Sequence, residues 1–162
     1  MPLKKPAIRK KPNKQLFTTE KHPQRGKTRV FLVDDHPLVR VGMAAILGRE
    51  SDIEVCGEAG TIALALKLID QAKPDVVSVD ITLSGEDGIE LVERIHRLHP
   101  SISMVIYTMH AEDIWMDQAL AAGAKAYVRK LEEPENLVKS IRGLVQSGAG
   151  GHKSTIHQAQ ES

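Results

Sequence analysis

The chain has 162 residues, of which 41% are hydrophobic and 27% charged, which is enough for the core of one globular domain with flanking segments. Aromatic residues make up only 3%, and the single cysteine, Cys56, excludes an intrachain disulfide. Because no run of about 18 apolar residues occurs and the N-terminus lacks the apolar stretch of a secretory signal, we expect a cytoplasmic protein without a membrane span.

The net charge of +1 conceals an asymmetry between the first 29 residues and the rest of the chain. Residues 1–29 hold ten Lys or Arg and one acid, Glu20, whereas the remainder carries a net charge of −8. The first segment is also rich in proline, which predicts a disordered basic arm over residues 1–27. Such an arm could be a solvated leader, or it could make weak electrostatic contact with nucleic acid, an acidic protein or a membrane surface.

Strand-like and helix-like stretches alternate between residue 28 and about residue 146. Short apolar runs typical of buried strands are separated by stretches whose apolar residues recur at helical spacing. Thr61 fits a helix N-cap, and Gly48 and Gly123 fit helix C-termini. The glycine-rich, polar residues 147–162 predict a flexible tail. In chain order the sequence predicts strand 29–33, helix 38–47, strand 53–57, helix 62–71, strand 76–79, helix 88–98, strand 104–107, helix 111–122, strand 126–128 and helix 134–145.

This alternation predicts an α/β fold with helices on both faces of a parallel sheet, because parallel strands need crossover connections. Right-handed crossovers leave few topologies, and the leading one is the doubly wound, flavodoxin-like order 2-1-3-4-5. In that order strands one and three are neighbours. Ligands bind such sheets beyond the carboxyl ends of the strands, at the point where the strand order reverses.

Polar residues follow or end four of the five predicted strands. Asp34 and Asp35 follow strand one, Asp80 follows strand three, Thr108 ends strand four and Lys130 ends strand five. Three carboxylates at neighbouring strand ends repel one another unless a cation lies among them, and Mg²⁺ fits because it prefers oxygen ligands and also binds phosphate. Together with a lysine and a hydroxyl, they indicate a phosphoryl-transfer site in which an aspartate can be the nucleophile.

Four stretches carry a resemblance to a known family: "VDDHPLVRVGMAAIL", "SVDITLSGEDGIELVERI", "VIYTMHAED" and "ALAAGAKAYVRK". Over residues 28–146 the chain resembles the receiver domain of bacterial two-component response regulators, most closely the branch that usually carries a helix-turn-helix output domain. The resemblance implies the receiver-like form of the fold above. It also implies a phosphoprotein that takes a phosphoryl group from a sensor histidine kinase or phosphotransfer protein and switches binding to a downstream protein target.

The resemblance implies roles for individual residues in the phosphoryl site. Asp80 would be the phosphoacceptor, Lys130 would pair with the phosphate and Thr108 would hydrogen-bond it. Tyr127 would be the aromatic switch that turns inward once Thr108 moves. Thr108 is therefore expected both to bind the phosphate and to take part in the switch.

The resemblance also implies a set of Mg²⁺ ligands. Asp35 would bind the ion directly and Asp34 partly through water, and Asp80 would be another ligand. The backbone carbonyl of Thr82 would be a further ligand.

The chain departs from the family at two positions near these residues. Ser84 stands where the family usually has proline, which predicts a less rigid loop, although Gly85 and Gly88 keep its turn chemistry. Leu131 follows Lys130 where the family also usually has proline. Neither change removes a chemical group, so we expect the chain to be competent for phosphorylation.

Taken singly, several of these residues also fit ordinary structural roles. Asp35 could be the N-cap of the following helix, and Tyr127 could be a packed strand residue. The histidines lack the spacing of metal ligands and are expected at the surface. His110 lies two residues after Thr108, where the family tunes dephosphorylation, and could affect that rate.

The output of the signal is less defined by the sequence. A helix-turn-helix unit would begin near residue 150, and too few residues follow to form one, so we expect no DNA-binding domain in this chain. The chain is either a stand-alone receiver that signals by protein contact, which we favour, or the receiver part of a truncated transcription regulator. Phosphorylation-linked homodimerisation is open.

A metal-dependent phosphohydrolase is a less favoured alternative. No second acid follows Asp80 as a proton donor, since Thr82 occupies the next outward position, and no glycine-rich phosphate loop of the P-loop kind is present in the sequence. We therefore expect a protein that is not an enzyme beyond catalysing its own phosphorylation and dephosphorylation.

Overall fold

A five-stranded parallel sheet and one short antiparallel hairpin organise the computed structural model, which describes residues 26–148. The predicted basic arm, apart from its last two residues, and the predicted tail, apart from its first two, lie outside the described residues. The strands are β1 (Thr28–Val33), β2 (Ile53–Ala59), β3 (Val76–Val79), β4 (Thr82–Leu83), β5 (Glu86–Asp87), β6 (Ser103–Thr108) and β7 (Ala126–Arg129). The helices are α1 (Pro37–Leu47), α2 (Ile62–Ala72), α3 (Gly88–Leu98), α4 (Asp113–Ala122) and α5 (Pro134–Gly148).

The order of the strands in the large sheet is β2-β1-β3-β6-β7, and all four neighbouring pairs are parallel. Once the hairpin strands β4 and β5 are set aside, this is the predicted order 2-1-3-4-5, and the predicted flavodoxin-like fold is confirmed. The order reverses at β1, which lies between β2 and β3. The carboxyl ends of β1, β3, β6 and β7 therefore meet along one edge of the sheet.

Helices cover both faces of the sheet and form two hydrophobic cores. One core lies under α2, α3 and α4 and contains Phe31, Val77 and Ile106 from the strands. The other lies under α1 and α5 and contains Leu32 and Val105. Since adjacent strand residues point to opposite faces, consecutive apolar residues such as Phe31 and Leu32 are both buried. Within residues 26–148, no helix combines the length and the apolar character that crossing a membrane requires.

Several ends of the helices follow the predicted signals, whereas others differ, among them the end of α5, which lies at Gly148 rather than at residue 145. Thr61 caps α2, where its hydroxyl accepts a hydrogen bond from the Leu64 N–H (3.3 Å), and α4 ends at Gly123, whose φ is +117°. The prediction that Asp35 could be the N-cap of α1 is wrong, because His36 occupies that position and Pro37 begins the helix. The fourth helix begins at residue 113 rather than 111.

The β4–β5 hairpin was not predicted as secondary structure. Its strands have two residues each, too short to show the alternation that identifies a strand. The turn residues Ser84 and Gly85 have φ values of +51° and +90°, as the central pair of a type I′ turn requires. The hairpin follows Asp80 directly and so lies beside the edge of the sheet at which the polar residues collect.

Candidate functional site

The register of β1 and β3 brings two of the predicted acids together. Val33 pairs with Val79, and the next residues along the two strands, Asp34 and Asp80, therefore lie side by side. The Asp80 N–H donates to the Val33 carbonyl (2.9 Å), which extends the pairing to the acid itself. Both acidic side chains are almost fully buried, with 2% and 7% of their surface exposed. Buried carboxylates so close to one another need a positive charge among them.

Lys130 supplies that charge. Its backbone N–H donates to the Thr108 carbonyl (2.7 Å), and its side chain runs under the edge of the sheet. The ammonium Nζ donates to Asp34 Oδ2 (2.5 Å) and to Asp80 Oδ2 (2.6 Å), with 8% of the side chain exposed. Burial alone lowers the pKa of this ammonium, but the hydrogen bonds that it donates to the two carboxylates outweigh burial and hold the pKa above its usual value. Lys130 is therefore a fixed cation between two buried acids.

The third acid, Asp35, lies at the rim of this cluster. Its Oδ2 accepts hydrogen bonds from both the N–H and the hydroxyl of Ser84, each 2.9 Å long. Its Oδ1 is buried and accepts no hydrogen bond from any residue between 26 and 148; His36 Nδ1 lies 2.8 Å away, but not in hydrogen-bonding geometry. Burial raises the pKa of this carboxyl, whereas the bonds from Ser84 and the nearby His36 lower it, and the net pKa is below the usual value.

Gly88 sets the position of Asp80 from the other side. A Cβ at residue 88 would lie 1.9 Å from the Asp80 carbonyl oxygen, so only glycine allows this approach. The Gly88 N–H donates to the Ile81 carbonyl (2.7 Å), and Asp87 caps α3 through its bond from the Ile89 N–H (2.8 Å). The start of α3 thus packs directly on the backbone that carries Asp80.

A chain of polar contacts forms the wall opposite Asp35. Thr108, at the end of β6, is fully buried, and its hydroxyl accepts a long hydrogen bond from the His110 N–H (3.4 Å). The His110 ring lies 3.0 Å from the Thr82 hydroxyl, and the Tyr127 hydroxyl donates to the His110 carbonyl (2.9 Å). Burial, with smaller contributions from nearby acids, raises the pKa of Tyr127 to about 12, so Tyr127 is a neutral donor at physiological pH.

These residues surround a solvent-accessible pocket of about 300 Å³. Asp80, Lys130 and Thr108 thus border the same small volume. Its lining comprises His36, Val39, Asp80, Thr82, Thr108, Met109, His110 and Lys130.

The acidic cluster could hold a metal ion. Asp34, Asp35, Asp80 and His36 each offer one ligand atom, and these atoms lie within 4.8 Å of one another. Their donor set is dominated by carboxylate oxygens, which hard divalent cations prefer, and the buried Asp35 Oδ1, which has the His36 ring 2.8 Å away, accepts no hydrogen bond in the described part of the chain. The residues therefore fit a divalent cation such as Mg²⁺.

The structure brings together all the predicted side chains of the phosphoryl site, and it adds three that the sequence reasoning did not place there. The sequence marks Ser84 only as a departure from a family pattern; His36 is exposed, as predicted, with 67% of its side chain accessible, and its ring also reaches the acidic cluster. His110 had been given a possible effect on a rate, and the structure places it between Thr82 and Tyr127. The spacing of His110, two residues after Thr108, was the one available signal.

Comparisons with known proteins agree with this geometry. A family model described as the response regulator receiver domain matches residues 30–142. The chain is 38% identical over 112 residues to the uncharacterized transcriptional regulatory protein YhcZ of Bacillus subtilis, covering 69% of this chain and 52% of that protein. It is 37% identical over 122 residues to the DNA-binding transcriptional activator DevR/DosR of Mycobacterium tuberculosis, covering 75% of this chain and 55% of that protein.

Solved structures give the same result. The crystal structure of a LuxR-family two-component response regulator from Aurantimonas superposes with a TM-score of 0.72 and is 34% identical. The superposition covers 75% of this chain and 87% of that chain. The chain thus spans most of a solved receiver-containing structure, but only about half the length of the curated relatives it matches.

Proposed function

The chain belongs to the response regulator receiver domain family, and we propose that in it Asp80 accepts a phosphoryl group from the phosphohistidine of a sensor histidine kinase or phosphotransfer protein. The observation that carries this proposal is the position of the Lys130 ammonium, 2.6 Å from Asp80 Oδ2 and 2.5 Å from Asp34 Oδ2 at the floor of an open pocket. A cation fixed beside a carboxylate is suited to neutralise the charge that develops during phosphoryl transfer.

The reaction exchanges one bond at phosphorus for another. An Asp80 carboxylate oxygen forms the new P–O bond while the P–N bond to the donor imidazole breaks, and the imidazole nitrogen leaves with the electron pair. Lys130 then pairs with the oxygens of the bound phosphoryl group, and the Thr108 hydroxyl donates a hydrogen bond to it. Because the Lys130 ammonium already lies beside Asp80, little reorganisation of this cation accompanies the transfer.

We propose that Asp34, Asp35, Asp80 and the backbone carbonyl of Thr82 hold Mg²⁺ during this reaction. The ion, when bound, supplies positive charge to the oxygens of the transferring group. The protein residues keep the three carboxylates close enough to share one cation, and Lys130 balances part of their charge in its absence. The separation of the possible ligand atoms, within 4.8 Å of one another, supports this assignment.

The proposed output is a shift between two states of the β6–α4 segment, residues 108–113. A phosphoryl group adds about −1.5 to −2 charges at neutral pH, which draws the Thr108 hydroxyl towards Asp80. The Tyr127 hydroxyl donates to the His110 carbonyl, so a displacement of this segment changes the position available to the Tyr127 ring. We propose that Thr108 and Tyr127 form the switch that alters binding to a downstream protein target.

Exposed apolar residues near the pocket favour a protein as phosphoryl donor. Met109 lines the pocket and is 55% exposed, and Leu131, adjacent to Lys130, is 79% exposed. Leu38, in the first turn of α1, is 82% exposed. Single exposed leucines are ordinary, but three around one reactive pocket suit a docking protein that carries the phosphohistidine.

A second proposal concerns the output alone: the receiver could control a helix-turn-helix DNA-binding domain. The relatives, which include a DNA-binding transcriptional activator, favour this alternative. Intact mass spectrometry of the native protein isolated from its source distinguishes the two outputs. A mass equal to that of the 162-residue chain supports a receiver that acts by protein contact.

The test of the proposed chemistry is Mg²⁺-dependent labelling with acetyl phosphate. The wild-type protein should gain one acid-labile phosphoryl group in Mg²⁺ and none in excess EDTA. Asp80→Asn should abolish the labelling, whereas Asp117→Asn, which changes an exposed acid on α4, should leave it intact. Undiminished labelling of Asp80→Asn would contradict the proposal, and steady turnover of phosphoesters would favour the phosphohydrolase alternative.

A further inference from the structure

Ser84 holds one of the proposed metal ligands in place. It lies at the tip of the β4–β5 hairpin, and its N–H and hydroxyl both donate to Asp35 Oδ2 at 2.9 Å. Its φ of +51° is unavailable to proline, whose ring fixes φ near −65° and which has neither donor. Ser84, the departure from the family pattern that predicts a less rigid loop, therefore makes two hydrogen bonds that proline cannot make.

The hairpin that carries Ser84 is anchored on both sides. Leu83 is fully buried in the core, and Glu86 Oε2 accepts a hydrogen bond from the Ile62 N–H (3.2 Å) at the start of α2. A serine in the left-handed region costs energy, and such a conformation persists only where its surroundings enforce it. The anchored hairpin and the two bonds to Asp35 provide that enforcement.

The two donors of Ser84 determine which oxygen of Asp35 is free. A carboxylate oxygen has two lone pairs, and both lone pairs of Oδ2 are engaged by Ser84. The other oxygen, Oδ1, is buried and accepts no hydrogen bond within the described residues, yet the same carboxylate belongs to the cluster whose possible ligand atoms lie within 4.8 Å. Fixing Oδ2 thus fixes the plane of the carboxylate and leaves Oδ1 available as a ligand.

We infer that Ser84 is a positioning residue, which orients the Asp35 carboxylate so that Oδ1 is presented to a divalent cation. The inference rests on the proposed use of Mg²⁺ at this site and assigns a determinant of its affinity to the hairpin. Loss of the hydroxyl leaves the backbone bond alone, around which the carboxylate can rotate. A carboxylate that rotates more freely loses more rotational entropy when it binds the ion, and this loss weakens binding.

The experiment is a Mg²⁺ titration of the full chain by isothermal calorimetry in the wild type, Ser84→Ala, Ser84→Gly and a control, Ser101→Ala. Ser101 is exposed at the opposite end of the sheet, beside a groove lined by Asp75 and Ser103. The Mg²⁺ dissociation constant should rise about three- to tenfold in both Ser84 variants, the scale of one ordinary hydrogen bond, and stay unchanged in the control. The Mg²⁺ concentration for half-maximal labelling by acetyl phosphate should rise by the same factor.

Urea unfolding in EDTA separates positioning from a merely structural role. Glycine adopts a φ of +51° without strain, so Ser84→Gly should be at least as stable as Ser84→Ala while its Mg²⁺ affinity is just as low. An unchanged or tighter affinity in both variants overturns the inference, and so does a loss confined to Ser84→Ala. A wild-type protein that binds no Mg²⁺ overturns the proposed metal use itself, and with it this inference.

Discussion

Replacing Lys130 by methionine should destabilise the protein more than any change to an exposed charge. Methionine keeps the apolar stem of the side chain but removes the ammonium that donates to Asp34 and Asp80. The two carboxylates then lie side by side, 2% and 7% exposed, with no ammonium between them. Leaving a buried carboxylate without its cation lowers the free energy of unfolding, because neither water nor another positive charge replaces the ammonium.

The magnitude follows from the number and burial of the partners. Removing one member of a buried ion pair typically costs about 3–5 kcal/mol. Lys130 serves two carboxylates, which raises the cost, but the pocket of about 300 Å³ above them admits water, which lowers it. We therefore expect a loss of roughly 3 kcal/mol in the free energy of unfolding at pH 7 in EDTA. With a urea m-value of about 2 kcal/mol/M, the midpoint should fall by roughly 1.5 M.

The assay is urea unfolding followed by circular dichroism, with and without Mg²⁺. The pKa of Lys130 is raised above 10.5 in the folded protein. The contribution of Lys130 to the free energy of unfolding is therefore fully present below pH 10.5 and is lost as the pH rises through the pKa of the folded protein. The difference between wild type and variant should therefore be constant from pH 7 to 9 and shrink above pH 10.5. Mg²⁺ should stabilise the variant more than the wild type, because the variant lacks the competing cation.

Two results would refute this reasoning. A loss below about 0.5 kcal/mol, the range of ordinary surface substitutions, would mean that Lys130 does not balance the buried acids. If Lys130→Met costs as much stability in an Asp34→Asn background as in the wild-type background, the cost does not come from the Asp34 carboxylate. The expected coupling is a smaller cost of Lys130→Met in the Asp34→Asn background.

Three further substitutions, one of them with a matched control, test other contacts of the structure. Gly88→Ala should cost at least about 3 kcal/mol, because its Cβ would lie 1.9 Å from a backbone oxygen, whereas Gly143→Ala on α5 should stabilise by about 0.5–1 kcal/mol, because a Cβ there would meet no described atom within 4 Å apart from its own helical backbone and chain neighbours; equal effects in urea unfolding would contradict the proposed close approach. Tyr127→Phe should lose about 1 kcal/mol at pH 7 with its hydrogen bond, and should remove the part of the fall in stability between pH 10 and about 12 that the Tyr127 hydroxyl contributes; a fall as steep in the variant as in the wild type would exclude that hydroxyl as a contributor. Arg142→Ala, which breaks exposed ion pairs to Asp52 and Glu50, should cost less than about 1 kcal/mol and nothing in 1 M salt; a loss insensitive to salt would point to packing instead.

The arrangement of the sheet and most of the site could be predicted because both depend on patterns along the chain. Apolar runs of strand length define the strands, and the crossover rules then order them, so residues that follow different strands are expected at one edge. Asp80 and Lys130 are 50 residues apart in sequence, yet their positions at two strand ends already place them together. Their side chains lie 2.6 Å apart in the structure.

The contacts that could not be predicted depend on backbone angles and side-chain rotamers. No periodicity marks a hairpin with two residues in each strand, and nothing in the letters "LSGED" shows that Ser84 has a φ of +51° or that it reaches Asp35, 49 residues earlier. The N-cap of α1 could not be assigned for a similar reason, because Asp35 and His36 both precede Pro37 and only the structure shows that His36 is the N-cap. The predicted roles of the site residues in phosphorylation remain predictions.

The most direct test of the central proposal locates the phosphoryl group on the chain. After brief treatment with acetyl phosphate and Mg²⁺, borohydride reduces an aspartyl phosphate to homoserine, and tandem mass spectrometry of the peptides identifies the modified residue. Homoserine at position 80, absent after treatment in EDTA, is the predicted result. Homoserine at Asp34, Asp35 or any other position, with residue 80 unmodified, would contradict the assignment of Asp80 as the phosphoacceptor.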